Sequence, residues 1–421
     1  MFTLRRELEQ LFERRGLVLE LEQHSVEFEH ERRVPVRLQC LKPERDLELQ
    51  GCVFPALCEI NTPHFFGRPF RLEHQVRQLH WKLKMKRTGK LFETIFTVEN
   101  LYHAYLDARK CKRKTQVCFQ FETNLGGNLK SLYDELHDGT YHPMPYRKFM
   151  VYEPKERVIY APHFRDTVVQ HAIYKAIYHI FDRGFIGSSF ACRKGMGTHK
   201  ASGYTQQALR ACPDNAYTLK LDIRKFFYSI DRGTLRSLVE KKIKDKRLVH
   251  VMMLFAEMES EKGIPIGNLL SQIYALIYLN PLDHFVKREL KIKKYVRYVD
   301  DFILIGITRA QCLACRKKIV DFIRFHLGLE LSKSTIQKVK KGLNFVGFRT
   351  WKTKKFIRKY SLYKFRREVK RGNQSAAVSL LGHAKRTSSL MYMIKILKEC
   401  KNDIKIPKAY NHLHYVRADR A

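Results

Sequence analysis

Two short segments of the chain hold carboxylates in settings that invite chemistry. In Tyr217-Thr218-Leu219-Lys220-Leu221-Asp222-Ile223, apolar Leu219, Leu221 and Ile223 alternate with Thr218, Lys220 and Asp222. That is a strand with one buried face, and Asp222 stands at its end on the other face. In Val296-Arg297-Tyr298-Val299-Asp300-Asp301-Phe302-Ile303-Leu304-Ile305, two apolar strands flank an Asp-Asp tip, a hairpin signature. Adjacent aspartates repel, and a purely structural turn would favour Asn-Gly or Asp-Gly. A cation turns that cost into a site. Magnesium takes hard oxygen ligands, typically one or two carboxylates plus substrate phosphates. Two such ions ~3.5–4 Å apart stabilise the attacking and leaving oxygens of an in-line phosphoryl displacement. Asp222, Asp300 and Asp301 are therefore the candidate catalytic carboxylates, with Asp222, Ile223, Asp300 and Asp301 as the metal-binding set. An isolated Asp-Asp is more often a solvated turn; its coupling to the first strand gives it meaning.

The elements needed to bring these segments together are legible around them. Phe149-Met150-Val151-Tyr152, Pro154-Lys155-Glu156 and Arg157-Val158-Ile159-Tyr160 read as strand, turn, strand. Val168, Val169, Ala172, Ile173, Ala176 and Ile177 follow at helical spacing, and the apolar positions of 361–369 and 389–397 are also helical. Mixed helices and antiparallel strands alternate up to about residue 350.

Composition agrees with such a machine. The chain has 421 residues, enough for two or three domains, with 44% hydrophobic and 12% aromatic residues for burial. Eighty Lys and Arg against 42 Asp and Glu give a formal charge of +38, which implies a polyanionic partner because phosphate neutralisation releases condensed counterions. Charge alone identifies no enzyme, since membrane-surface proteins can be as basic. No apolar run reaches the ~18–20 residues a membrane span requires, and no signal-peptide pattern stands at the start. An intracellular, cytoplasmic protein with no membrane partner is expected. Ten cysteines include one CxxC, Cys312 and Cys315, but no second pair at zinc spacing, so reduced core thiols are the reading.

Charge is not uniform. Residues 1–50 carry nine basic and eleven acidic side chains, leaving 71 basic against 31 acidic beyond them. An amphipathic pattern at Leu4, Leu8, Leu11 and Phe12 opens this segment. No catalytic constellation lies in residues 1–84. The run Arg109-Lys110-Cys111-Lys112-Arg113-Lys114 suits phosphate contact or a solvated helix end, and residues 351–421 hold 19 basic but four acidic side chains.

Tyr298-Val299-Asp300-Asp301 resembles the YxDD box of reverse transcriptases, and Asp222 with Phe226-Phe227 resembles the preceding motif of their palm. Gly263-Ile264-Pro265-Ile266-Gly267-Asn268-Leu269-Leu270-Ser271-Gln272 resembles their nucleotide-and-template loop, Arg157-Val158-Ile159 their fingers motif, and Gly342-Leu343-Asn344-Phe345-Val346-Gly347-Phe348 their primer grip. The resemblance implies an α+β right-hand polymerase. Fingers and palm span 85–350, a mainly helical basic thumb spans 351–421, and a small N-terminal extension domain of unassigned role spans 1–84. It further implies two Mg2+ ions, deoxynucleotides, a template RNA and a primer/cDNA duplex. Lys155 and Arg157 would clamp the triphosphate, Phe227 would exclude a 2′-hydroxyl, and Ile266, Gly267 and Gln272 would line the nucleotide. Lys333 stands where a general acid for pyrophosphate departure would sit, the alternative being an exposed lysine. Many relatives have Gln at the position of Ile266 and Ser-Pro at Ser271-Gln272. The variant here, with Phe164-Arg165-Asp166 through His171 and Phe190 through His199, resembles reverse transcriptases of diversity-generating retroelements. That group copies a structured RNA with errors at adenines and uses a basic accessory protein. A defence-associated or group II-like reverse transcriptase is the alternative, and a catalytically dead RNA-binding scaffold is the alternative from another class.

Overall fold

The computed structural model describes residues 87–152 and 156–400. The amphipathic pattern near Leu4, the proposed N-terminal extension, Lys155 and the last 21 residues lie outside the described residues. Four helices open the described chain: α1 (Leu91–Ile95), α2 (Val98–Ala108), α3 (Gln116–Thr123) and α4 (Leu125–Asp138). Thr97 caps α2 by accepting from the Asn100 amide, and Gly139 ends α4 in the left-handed conformation. The basic run after Arg109 is the turn joining α2 to α3. There Lys110 pairs with Asp107 and Arg109 with Glu122, so part of its charge is met within the fold.

The expected strand–turn–strand is an antiparallel pair, β1 (Arg147–Val151) with β2 (Arg157–Ala161), in register from Arg147 opposite Ala161 to Val151 opposite Arg157. Helix α5 (Phe164–Asp182) follows as its spacing requires, burying Val168, Val169, Ala172, Ile173 and Ile177. Next come α6 (Thr198–Arg210), β3 (Tyr217–Ile223), the single-turn α7 (Phe226–Ser229), α8 (Arg232–Glu240), α9 (Lys246–Leu254) and α10 (Leu269–His284). Helix α10 is apolar over most of its surface and correspondingly central. It contains Pro281 and runs into a π turn over Phe285–Glu289.

Strands β4 (Tyr295–Tyr298), β5 (Asp301–Ile307) and β6 (Leu331–Lys338) join β3 in an antiparallel sheet of order β4-β5-β3-β6, with α11 (Arg309–Leu327) between β5 and β6. One face, with Leu219, Leu221, Ile223, Tyr295, Phe302 and Leu304, joins the large core that includes residues of α5, α10 and α11. The other, with Val296, Ile303 and Ile305, packs in a smaller core with residues of α6 and the next hairpin. Cys312 and Cys315 are buried, reduced thiols of α11.

A second small sheet, β7 (Leu343–Phe345), β8 (Phe348–Thr350) and β9 (Lys355–Ile357), leads into α12 (Lys359–Lys370), α13 (Gln374–Ala384) and α14 (Ser389–Glu399). These helices share their own core with Phe348 and Ile357. Two of the three helices match the expected periodicities; α13 has no such expectation. No helix among the described residues is long and apolar enough to cross a membrane.

Candidate active site

Asp222 and Asp301 are Cα partners across β3 and β5, so their side chains leave the same face side by side. On its other side Asp222 faces Lys333 of β6. Tyr298 lies opposite Asp301, completing a row Tyr298, Asp301, Asp222, Lys333 across the sheet. Asp300 is the neighbouring turn residue, and its carbonyl accepts from the Ile223 amide at 3.3 Å.

The turn itself corrects the sequence expectation. Its two central residues are Val299 and Asp300, since Tyr298 pairs with Asp301 and Asp301 begins β5. Val299 has φ +56°. A positive φ at the first central residue is the type II′ pattern, which normally takes glycine. A β-branched residue held there costs about 1–3 kcal/mol, and such strain persists only where the surroundings enforce it.

Two supports of the row were not foreseen. Lys220, two residues before Asp222 and on the same face, places Nζ 2.7 Å from Asp301 Oδ2 and 2.9 Å from the Asn344 carbonyl on β7. Ser332 is the extra residue of a β-bulge: Asp222 pairs with Lys333 and Ile223 with Leu331, which leaves Ser332 between. Its hydroxyl donates to Asp222 Oδ2 and lies 3.2 Å from the Asp222 carbonyl. The signal for Lys220 was its parity with Asp222. Nothing in the sequence announces the bulge.

Burial pushes the Asp301 carboxyl up to about 6, opposed by Lys220 and reinforced by Asp222 and Asp300. Asp301 Oδ1 is buried without a hydrogen-bonding partner. An orphan carboxylate oxygen beside two more carboxylates suits a divalent cation. Yet among the described residues no three Asp, Glu, His or Cys side chains converge as a ready cage. Asp301 is instead paired through Oδ2 with Lys220. The donor set fits a cation held by few carboxylates and completed by substrate oxygens.

The other expected residues stand in varied settings. Phe227 is half-buried, edge-on to fully buried Phe226. The Phe227 carbonyl accepts from the Ile264 amide at 2.8 Å, and Gly263, at φ +99°, has no room for a Cβ against Phe227 and Tyr228. Arg232 fixes this loop by donating to the Gly263 and Ser260 carbonyls. The Ile266 carbonyl accepts from the Tyr160 amide at 2.7 Å. At Gly267, φ +110°, a Cβ would lie 2.7 Å from Ile159 and 3.0 Å from the Tyr160 carbonyl. Its glycine requirement is thus already met by contact with β2. Gln272 is exposed on the first turn of α10, Arg157 is exposed at the start of β2, and Lys333 is exposed.

The site is thus an antiparallel sheet with a strained Asp-bearing turn opposite a strand-end aspartate. Residues 148–350, a little under half of the chain, match the family "Reverse transcriptase (RNA-dependent DNA polymerase)". Over 292 residues the chain is 27% identical to Protein YkfC of Escherichia coli strain K12, covering 58% of this chain and 74% of that one. It is 25% identical over 296 residues to the group II intron-encoded protein LtrA of Lactococcus lactis subsp. cremoris, covering 52% of this chain and 49% of that one. The chain thus spans about half the length of the lactococcal relative. A solved telomerase from Candida albicans, in complex with a fragment of telomeric RNA, overlaps 61% of this chain and 55% of its own at 13% identity and TM-score 0.39. That overlap carries no argument about residues.

Proposed function

We propose that this protein extends a primer along a structured template RNA to make cDNA, with Asp222 and Asp300 as the carboxylates at the reacting phosphate. The supporting observation is the cross-strand register that sets Asp222 beside Asp301 and next to the Asp300 turn. Reverse transcriptases use divalent metal ions. Two Mg2+ ions, held by Asp222, Asp300 and the Ile223 main chain, would neutralise charge on the attacking and leaving oxygens. Asp301, tied to Lys220, sets the local charge and completes the acidic set. The primer 3′-hydroxyl gives up its proton to solvent and its oxygen bonds the α-phosphorus of a deoxynucleoside triphosphate, while the α–β P–O bond breaks and pyrophosphate leaves. Lys333, opposite Asp222, donates the proton to that leaving group. Arg157, with Lys155, neutralises the triphosphate, and the Phe227 ring collides with a ribose 2′-hydroxyl. Primer extension on an RNA template tests the reading. Asp300→Ala and Asp222→Ala are each expected to lower incorporation by at least about 10²- to 10³-fold, a loss of the size seen when a stabiliser of transition-state charge is removed. Near-normal extension by either variant overturns it.

The finer reading is a diversity-generating retroelement enzyme, cytoplasmic, working with a basic accessory protein and miscopying adenines. It rests on Ile266, whose aliphatic side chain makes no polar contact to a nucleotide or template where many relatives have an amide; weaker geometric enforcement lowers discrimination. Ile266→Gln is expected to lower misincorporation opposite template adenine several-fold, and an unchanged error spectrum in sequenced cDNA counts against it. The similarity to LtrA favours a second reading, a group II-like enzyme. Faithful cDNA from the unaltered protein would select that one.

A further inference from the structure

On the far side of the sheet from the carboxylate row, Arg297 of β4 is completely buried, as is Asp283 at the end of α10. The guanidinium is bidentate, with Nε 2.7 Å from Asp283 Oδ1 and Nη2 2.6 Å from Oδ2. Tyr295 donates its hydroxyl to the same carboxylate at 2.8 Å. The Arg297 main chain is fixed as well, its amide donating to Ser188 and its carbonyl accepting from Phe190. Of the donors that remain, one serves the turn that carries Asp300: Nη1 reaches the Val299 carbonyl at 3.0 Å.

A charge pair in an apolar core is weak evidence of stability, because desolvation offsets its attraction. Its retention here asks for another role. The Val299 carbonyl belongs to the peptide that leads into Asp300, and Val299 carries the positive φ that a valine resists. A rigid fork anchored from below is the sort of neighbour that can enforce such a conformation. Lysine offers no planar fork and cannot span both Asp283 oxygens and the carbonyl together.

We propose that Arg297, locked by Asp283 and Tyr295, is a positioning residue that holds the Val299–Asp300 turn in its strained form and thereby aims the Asp300 carboxylate. This rests on the polymerase reading above, and the unaltered protein separates the two: if it incorporates no nucleotide, that reading fails, whereas the present inference concerns variants of an active enzyme.

The test is single-nucleotide incorporation on a primed RNA template by Arg297→Lys, alone and combined with Val299→Gly. Arg297→Lys is expected to lower kcat about 10- to 100-fold, as loss of a supporting hydrogen bond behind a ligand does. KM for the nucleotide and Kd for the primed template should stay within about twofold, well under the tenfold that 1.4 kcal/mol represents. Adding Val299→Gly, which removes the strain the arginine opposes, should recover at least about fivefold of the loss, a coupling of roughly 1 kcal/mol for touching residues. A merely structural arginine predicts no such recovery. If Arg297→Lys does not fold, the apolar replacement Asp283→Leu/Tyr295→Phe/Arg297→Met removes the whole network without leaving an unpaired charge. It should show the same low kcat and the same gain from Val299→Gly. Wild-type kcat in the folded variant, a loss confined to KM or template binding, or strictly multiplicative effects of the two changes would overturn the proposal.

Discussion

Asp301 is pulled in opposite directions by burial and by Lys220, and the balance is measurable. Its folded carboxyl lies at about 6, above its ordinary value of 3.8. A proton is therefore held more tightly in the folded protein than in the unfolded chain. The stability this confers is present in full below pH 3.8 and is lost as pH rises through about 6. Asp301→Asn has no such titration. In chelator, the urea unfolding free energy of the unaltered protein minus that of Asp301→Asn should fall between pH 4 and 6.5. At 1.36 kcal/mol per unit the fall is at most about 3 kcal/mol, and less for a side chain 23% exposed. Magnesium, which favours the charged form, should abolish the fall. A flat difference would mean that Asp301 is not buried against its neighbours as described.

At the level of elements, the β-bulge at Ser332 is where local backbone irregularity meets chemistry. By displacing one residue of β6, it turns a hydroxyl onto Asp222 while Lys333 keeps its place opposite. Ser332→Ala removes a charge-assisted hydrogen bond without altering the backbone. Loss of a hydrogen bond that orients a ligand typically costs about 10- to 100-fold in activity, so kcat should fall roughly 10-fold. Unchanged kcat would assign the serine to the bulge alone. This element also marks the limit of what sequence can disclose. Strand parity placed Lys220 and Asp222 on one face, and helical spacing placed α5, because both follow from fixed periods. The Tyr298–Asp301 hairpin was legible, but its tip was read one residue late: Asp-Asp looks like a turn, while the actual turn uses Val299, a residue no propensity would choose. Register is set by tertiary pairing, so neither the bulge nor the reach of Arg297 to Asp283, fourteen residues away, could be read from local pattern. An arginine between Val296 and Tyr298 in an apolar strand was the single available hint. Gly267 is expected from its motif to lie against the nucleotide, but contact with β2 already requires a glycine there, and α7 does the same at Gly263.

For the whole molecule, a formal charge of +38 predicts that binding to RNA is dominated by counterion release. Six phosphate contacts alone would cost about 10³-fold in affinity between 50 and 200 mM salt. The helices after Ile357 offer a place to separate this term from contact with bases. On α12, Tyr360 and Tyr363 are 58% and 63% exposed, one turn apart, with exposed Lys359 at the start of the same helix. If the basic C-terminal helices lie along nucleic acid, the two kinds of side chain on this face act differently. Lys359→Gln removes one phosphate contact, so the slope of log affinity against log salt should flatten by about 0.7–0.9 and the loss should vanish at high salt. Tyr363→Ala removes a stacking platform worth about 1–3 kcal/mol per base, so single-stranded RNA should bind roughly 5- to 100-fold more weakly with the slope unchanged. Fluorescence anisotropy across a salt series reads both quantities from one titration. Identical salt profiles for the two variants and the unaltered protein would show that nucleic acid does not travel along this helix, and the charge of the C-terminal helices would then need a different partner.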